Sequence, residues 1–195
     1  MAEDEVRMTE PGLFDLDAVV VGQPKRSRWR RYLGPVLAVS TREGTTLAWV
    51  TCTDDTHYVL THTSGDVIVR IEQYGPAEFR FTDAAHREIG HADAPGLFKS
   101  LQLKLRTDQG RHLFLTRPGL PYTQWHLTET APEGVPTQGL LGRVTVSTID
   151  PWIGLQQYAV DMDPRLGAGD RRTVVAAVIC LHLLRRPPGD SAAPG

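Results

Sequence analysis

The stretch Asp170-Arg171-Arg172-Thr173-Val174-Val175-Ala176-Ala177-Val178-Ile179-Cys180-Leu181-His182-Leu183-Leu184-Arg185-Arg186 decides the fold. From Val174 to Leu184 only His182 is not apolar, so a helix here has no polar face and must be buried all round. Such a run is shorter than the roughly 20 apolar residues a membrane span requires and fits a buried core helix. Arginine pairs close both ends, and Asp170, following Gly167-Ala168-Gly169, is placed to cap a helix over 170–186. The fold question becomes what surrounds that helix.

Working outward, the preceding chain is dominated by period two. Leu101, Leu103 and Leu105 alternate with Gln102, Lys104 and Arg106; Phe79 and Phe81 flank Arg80; Val144 and Val146 flank Thr145; Val67, Val69 and Ile71 stand in one register. Each pattern is that of a half-buried strand. Turn residues punctuate the strands at Arg42-Glu43-Gly44, Ser64-Gly65-Asp66, Tyr74-Gly75-Pro76, Asp108-Gln109-Gly110 and Arg117-Pro118-Gly119. About a dozen short strands followed by one apolar helix predict an all-β closed barrel of about 12 strands around a central C-terminal helix. Closure removes the sheet edges and supplies a lumen for the helix. A sandwich with a peripheral helix is the structural alternative, disfavoured because it would expose part of an apolar surface.

At 195 residues, with 41% hydrophobic and 23% charged residues, the chain reads as one ordinary globular domain. Residues 1–14 are expected to form an acidic disordered tail, 15–186 the barrel domain and 187–195 a second tail. The first residues have neither a basic region nor an apolar core of a signal peptide, and the two cysteines, Cys52 and Cys180, are too few for a disulfide framework. A cytoplasmic protein with reduced thiols, peripheral to a membrane if it contacts one, is the expectation. The net charge of −2 argues against nucleic acid as partner.

No catalytic or metal-binding motif stands out. His57 and His62, like His86 and His91, are five apart, which on a strand directs them to opposite faces. His182 reads as a hydrogen-bonded core histidine. The Gly167-Ala168-Gly169 turn lacks the third glycine of a dinucleotide loop, since Arg172 stands there. Asp54 with Asp55 reads as a turn, and Asp161 with Asp163 as the exit from a strand into the helix. No enzyme activity, cofactor or metal is expected.

The local charge anomaly is Lys25-Arg26-Ser27-Arg28-Trp29-Arg30-Arg31, five cations in seven residues with one aromatic. Upstream stand six acids, Glu3, Asp4, Glu5, Glu10, Asp15 and Asp17, against Arg7. One reading is a solvated loop screened by that acidic segment. The functional reading makes Lys25, Arg26, Arg28, Trp29, Arg30 and Arg31 a site for lipid phosphate on an anionic membrane.

The chain resembles the tubby C-terminal-like superfamily, in its phospholipid-scramblase and LURP-one-related branches. Three stretches carry the resemblance: Ala77-Glu78-Phe79-Arg80-Phe81-Thr82-Asp83 running to Ile89-Gly90, Leu141-Gly142-Arg143-Val144-Thr145-Val146, and Tyr158 to Pro164 leading into the helix. The resemblance implies a barrel around an apolar C-terminal helix, and phosphoinositide binding through basic residues that map here only to the fold. The scramblase branch's proline-rich region, cysteine cluster and acidic calcium segment are not found, so calcium-driven scrambling is not expected. The reading is a non-enzymatic binding or scaffold protein contacting anionic phospholipid through the basic loop. The alternatives are a small-ligand carrier or enzyme with a loop-built pocket at a barrel mouth, and a protein-interaction module.

Overall fold

The computed structural model describes residues 12–24, 36–94, 102–119, 123–130, 136–150 and 155–184. Twelve strands are present among them: β1 (Ala18–Gly22), β2 (Leu37–Ser40), β3 (Thr46–Cys52), β4 (His57–His62), β5 (Val67–Gly75), β6 (Glu78–Thr82), β7 (Glu88–Asp93), β8 (Gln102–Thr107), β9 (His112–Thr116), β10 (Gln124–Thr130), β11 (Pro136–Asp150) and β12 (Leu155–Met162). Each pairs antiparallel with the next, and β1 closes on β12 with Ala18 opposite Asp161 and Gly22 opposite Gln157. The result is a closed barrel. The last element, α1 (Ala168–Leu184), fills its lumen.

Alternation decides which side chains reach that lumen. Phe79 and Phe81 are buried while Glu78 and Arg80 are exposed; Leu103 and Leu105 are buried while Lys104 and Arg106 are exposed. The helix meets them with Val174 through Leu181, every one buried. At 17 residues and 1.5 Å per residue α1 is about 25 Å long, comparable with a tilted strand of six to eight residues. No helix among the described residues is long and apolar enough to cross a membrane. With an apolar interior and charged strands outside from β5 to β8, the pattern is the inverse of a transmembrane barrel.

Two boundaries differ from the sequence reading. The helix begins at Ala168 rather than Asp170, because the Gly167 carbonyl already accepts the Arg171 N–H at 3.0 Å. Asp170 therefore lies inside the first turn and is no cap; its carboxylate turns sideways to Arg111. The packed chain also starts before residue 15. The Asp15 N–H donates to the Gly12 carbonyl at 2.9 Å, and this turn folds Leu13 onto the core.

The helix lies closest to β7 and β8, and Gly90 makes that approach possible. A Cβ there would stand 2.8 Å from the Arg106 carbonyl oxygen and 3.0 Å from Thr173 Oγ1. The first of these is backbone in a neighbouring strand and has no room to retreat. Gly90→Ala is expected to cost about 1–3 kcal/mol, measured as a lower urea midpoint with an unchanged slope. An unaltered midpoint would show that the wall yields at this point.

Candidate functional site

The barrel has two unlike mouths, and the strand directions assign each described turn to one of them. Asp17, just before β1, accepts from Arg171 in the first turn of α1. At the other end of the helix the His182 ring stands edge-on to Tyr158, centroids 5.9 Å apart, and Tyr158 is opposite Val21 near the end of β1. The helix and β1 thus run the same way. The β2–β3, β4–β5, β6–β7 and β8–β9 turns gather at the mouth where Asp170 enters. The β3–β4 and β5–β6 turns lie at the mouth where Leu184 leaves, as do the described ends of β1, β7 and β9.

The Asp170 mouth is closed by ion pairs. The Asp108-Gln109-Gly110 turn, with Gly110 at φ +75°, brings Asp108 and Arg111 over the helix start. The Arg111 guanidinium donates through Nε and Nη2 to both Glu129 oxygens, each at 2.8 Å, and through Nη1 to Asp170 Oδ2. Arg171 donates to Asp17 Oδ1 at 2.7 Å and to the Leu166 carbonyl at 2.9 Å, and Arg172 donates to Asp108 at 3.2 Å. Asp170 is 1% exposed, and its Oδ1 accepts no hydrogen bond among the described residues. The fork from Arg111 holds the Glu129 carboxyl below its ordinary range. Beside it, the Arg165 side chain and backbone N–H hold the Asp163 carboxyl at about 2. Arg111, Arg171 and Arg172 thus pair with Asp170, Glu129, Asp17 and Asp108 and fasten the helix start to the barrel, while Asp170 Oδ1 and Arg172 Nε have no hydrogen-bond partner among the described residues.

At the Leu184 mouth the β3–β4 hairpin is the best-defined loop. Asp54 Oδ1 accepts from the Thr56 N–H at 2.9 Å and meets His57 Nδ1 at 2.8 Å; these two contacts lead in holding its carboxyl at about 2. Cys52 donates through Sγ to the Asp54 carbonyl. Asp54 with Asp55 is the turn the sequence indicated. The other thiol, Cys180, is fully buried in α1, and burial pushes it well above the usual thiol range. Among the described residues no group of three His, Cys, Asp or Glu side chains is arranged to hold a metal ion.

The basic cluster joins β1 to β2. Lys25, Arg26, Arg28, Trp29, Arg30 and Arg31 lie outside the described residues, and so do Arg185 and Arg186. The flanking residues Gly22 to Pro24 and Val36 are described, and the end of β1 places them at the Leu184 mouth. A shallow depression of about 280 Å3 lies over β11 and the end of β12, lined by Leu140, Gly142, Arg143, Asp161, Met162 and Asp163. Arg42 pairs with Asp161 there, and Arg165 pairs with Asp163 and donates to the Leu140 carbonyl. The sequence reading missed the ion-pair closure of the Asp170 mouth. Its signal was present as acids and arginines at turn positions, but the partners are 18 and 59 residues apart.

Comparison with known proteins gives the fold and no more. No family model matches the chain, and no curated protein matches it. Among solved structures it is similar to the X-ray structure of a protein from Arabidopsis thaliana, AT5G01750. The TM-score is 0.53 at 8% sequence identity, over 87% of this chain and 92% of that one. The two chains share a barrel fold.

Proposed function

We propose that this barrel is a non-enzymatic binding or scaffold protein of the tubby-like, LURP-one-related kind, which docks on anionic phospholipid through Lys25, Arg26, Arg28, Trp29, Arg30 and Arg31. The observation that carries the reading is the run of five cations in seven residues, placed in the connection from β1 to β2. The barrel that this reading requires is the fold shared with the Arabidopsis thaliana protein AT5G01750. A binding role is supported by the lumen, which α1 fills with side chains where a barrel enzyme or carrier would hold its ligand.

Docking would work by counterion release and charge attraction. Each cation near an anionic surface contributes about 1 kcal/mol, and the attraction is screened over about 10 Å at 0.1 M salt. Trp29 suits the headgroup region. The test is co-sedimentation with phosphatidylserine-containing and neutral vesicles at low and high salt, using native protein and a variant with Lys25, Arg26, Arg28, Arg30 and Arg31 all replaced by Ser. Salt-sensitive binding to anionic vesicles, lost in the variant, is expected. Native protein that stays in the supernatant at low salt would retire the proposal.

A further inference from the structure

The barrel is closed, yet one strand outruns its neighbour. β12 ends at Met162, opposite Gly142, and the Asp163 N–H then donates to the Leu141 carbonyl at 2.8 Å. β11 reaches back beyond that point to Pro136, with β10 along one side, Thr128 opposite Leu140 and Thr130 opposite Pro136. On its other side, residues 136–140 have no strand partner among the described residues. An open edge of this kind is a template for a further strand. What covers it is one side chain. Arg165 Nη2 donates to the Leu140 carbonyl at 3.3 Å, and a Cβ built at Gly139 would have only the Arg165 guanidinium within 4 Å. That side chain is 63% exposed, so it can swing aside.

The edge leads into the depression over β11 and the end of β12. Leu140, at its border, is 44% exposed, although the large apolar side chains of the described chain are mostly buried. Arg143 is exposed and makes no hydrogen bond or ion pair among the described residues. The two carboxylates beside it are already engaged, Asp161 with Arg42 and Asp163 with Arg165.

We infer that the 136–140 edge and this depression form a peptide-docking site, which takes an extended acidic segment of another protein as an added strand. In such a site main-chain hydrogen bonds give affinity and alternate side chains give specificity. Here an apolar side chain of the segment rests on Leu140, and a carboxylate in the depression is held by Arg143 in a charge-assisted pair. Arg165 leaves the Leu140 carbonyl and keeps Asp163. Charge complementarity selects an acidic segment, because Arg143 is the cation left over. Size selects a segment rather than a second copy of the chain. Five residues make an edge about 17 Å long and one strand deep, whereas a stable protein interface needs about 800 Å2 per partner. The inference is independent of lipid docking.

The test selects a random peptide library on immobilised native protein and measures the enriched peptides by fluorescence anisotropy. Enriched sequences are expected to alternate apolar residues and to carry Asp or Glu. Arg143→Glu, first checked for native circular dichroism, is expected to bind them about tenfold more weakly. Exchanging the peptide's acid for Lys should restore binding to that variant. Methylating alternate peptide nitrogens, which spares the side chains, should abolish binding. Absence of enrichment, enrichment of basic peptides, or binding insensitive to either Arg143→Glu or methylation would overturn the inference. A dimer in solution that Leu140→Glu dissociates would overturn it in favour of a second copy.

Discussion

Val178→Asp is expected to leave no folded protein in the soluble fraction. Val178 is 0% exposed, at the middle of a helix whose neighbours from Val174 to Leu181 are all buried. The substitution removes an apolar side chain worth about 1.5–3 kcal/mol. It also places a carboxylate where only apolar groups surround it, which adds several kcal/mol whether the group ionises or takes up a proton. Against a total stability of about 5–15 kcal/mol, the sum is enough to abolish the fold. Val178→Ala separates burial from packing: it leaves a cavity of two methyl groups and is expected to fold with about 2 kcal/mol less stability. Expression yield, circular dichroism and a urea titration report both. A cooperatively folding Val178→Asp protein would mean that the helix can leave the lumen.

The second large effect belongs to Arg111. Arg111→Ala strips Asp170, which is 1% exposed, of its cation, and Glu129 of both its bonds. Breaking one side of a buried pair costs about 3–5 kcal/mol, and for a chain of this size that lowers Tm by roughly 10 °C. The double variant Arg111→Met with Asp170→Leu removes both charges, and is expected to recover much of the loss because no buried ion is left behind. The pH dependence has a definite sign. The Glu129 carboxyl, held by Arg111, lies below its ordinary 4.5 in the folded protein. A depressed carboxyl stabilises the fold above the unfolded value, and that share is lost as pH falls through the folded one. The acid-unfolding curve of native protein should therefore steepen below about pH 4.5, and Arg111→Met should flatten it. Equal curves would place the pair outside the stabilising contacts.

Much of the architecture could be read in the sequence, and the reasons are local. Phe79 and Phe81 around Arg80, and Leu103 and Leu105 around Lys104, state their inward face outright. The run from Val174 to Leu184 states that something must enclose it. Closure itself has no local signal, since β1 meets β12 across more than 130 residues; the demand of an all-apolar helix for a lumen implied it. The start of the helix was misplaced because Asp170 looks like a cap in one dimension, while its partner Arg111 is 59 residues away. Leu13 was assigned to a tail because Pro11-Gly12 reads as a boundary, whereas the Gly12–Asp15 turn returns the chain to the core. The candidate basic cluster was legible as composition only.

The order of the elements also sets a timetable for synthesis. All twelve strands precede the helix that fills them, and Leu184 follows Met162 by 22 residues. At about 5–20 residues per second, a ribosome holds the finished set of strands for roughly one to four seconds before their apolar filling is complete. During that interval Phe79, Phe81, Leu103 and Leu105 have no helix to pack on. The nascent chain is then at its stickiest, and a chaperone that shields strands while ignoring the finished barrel would have its whole task within those seconds.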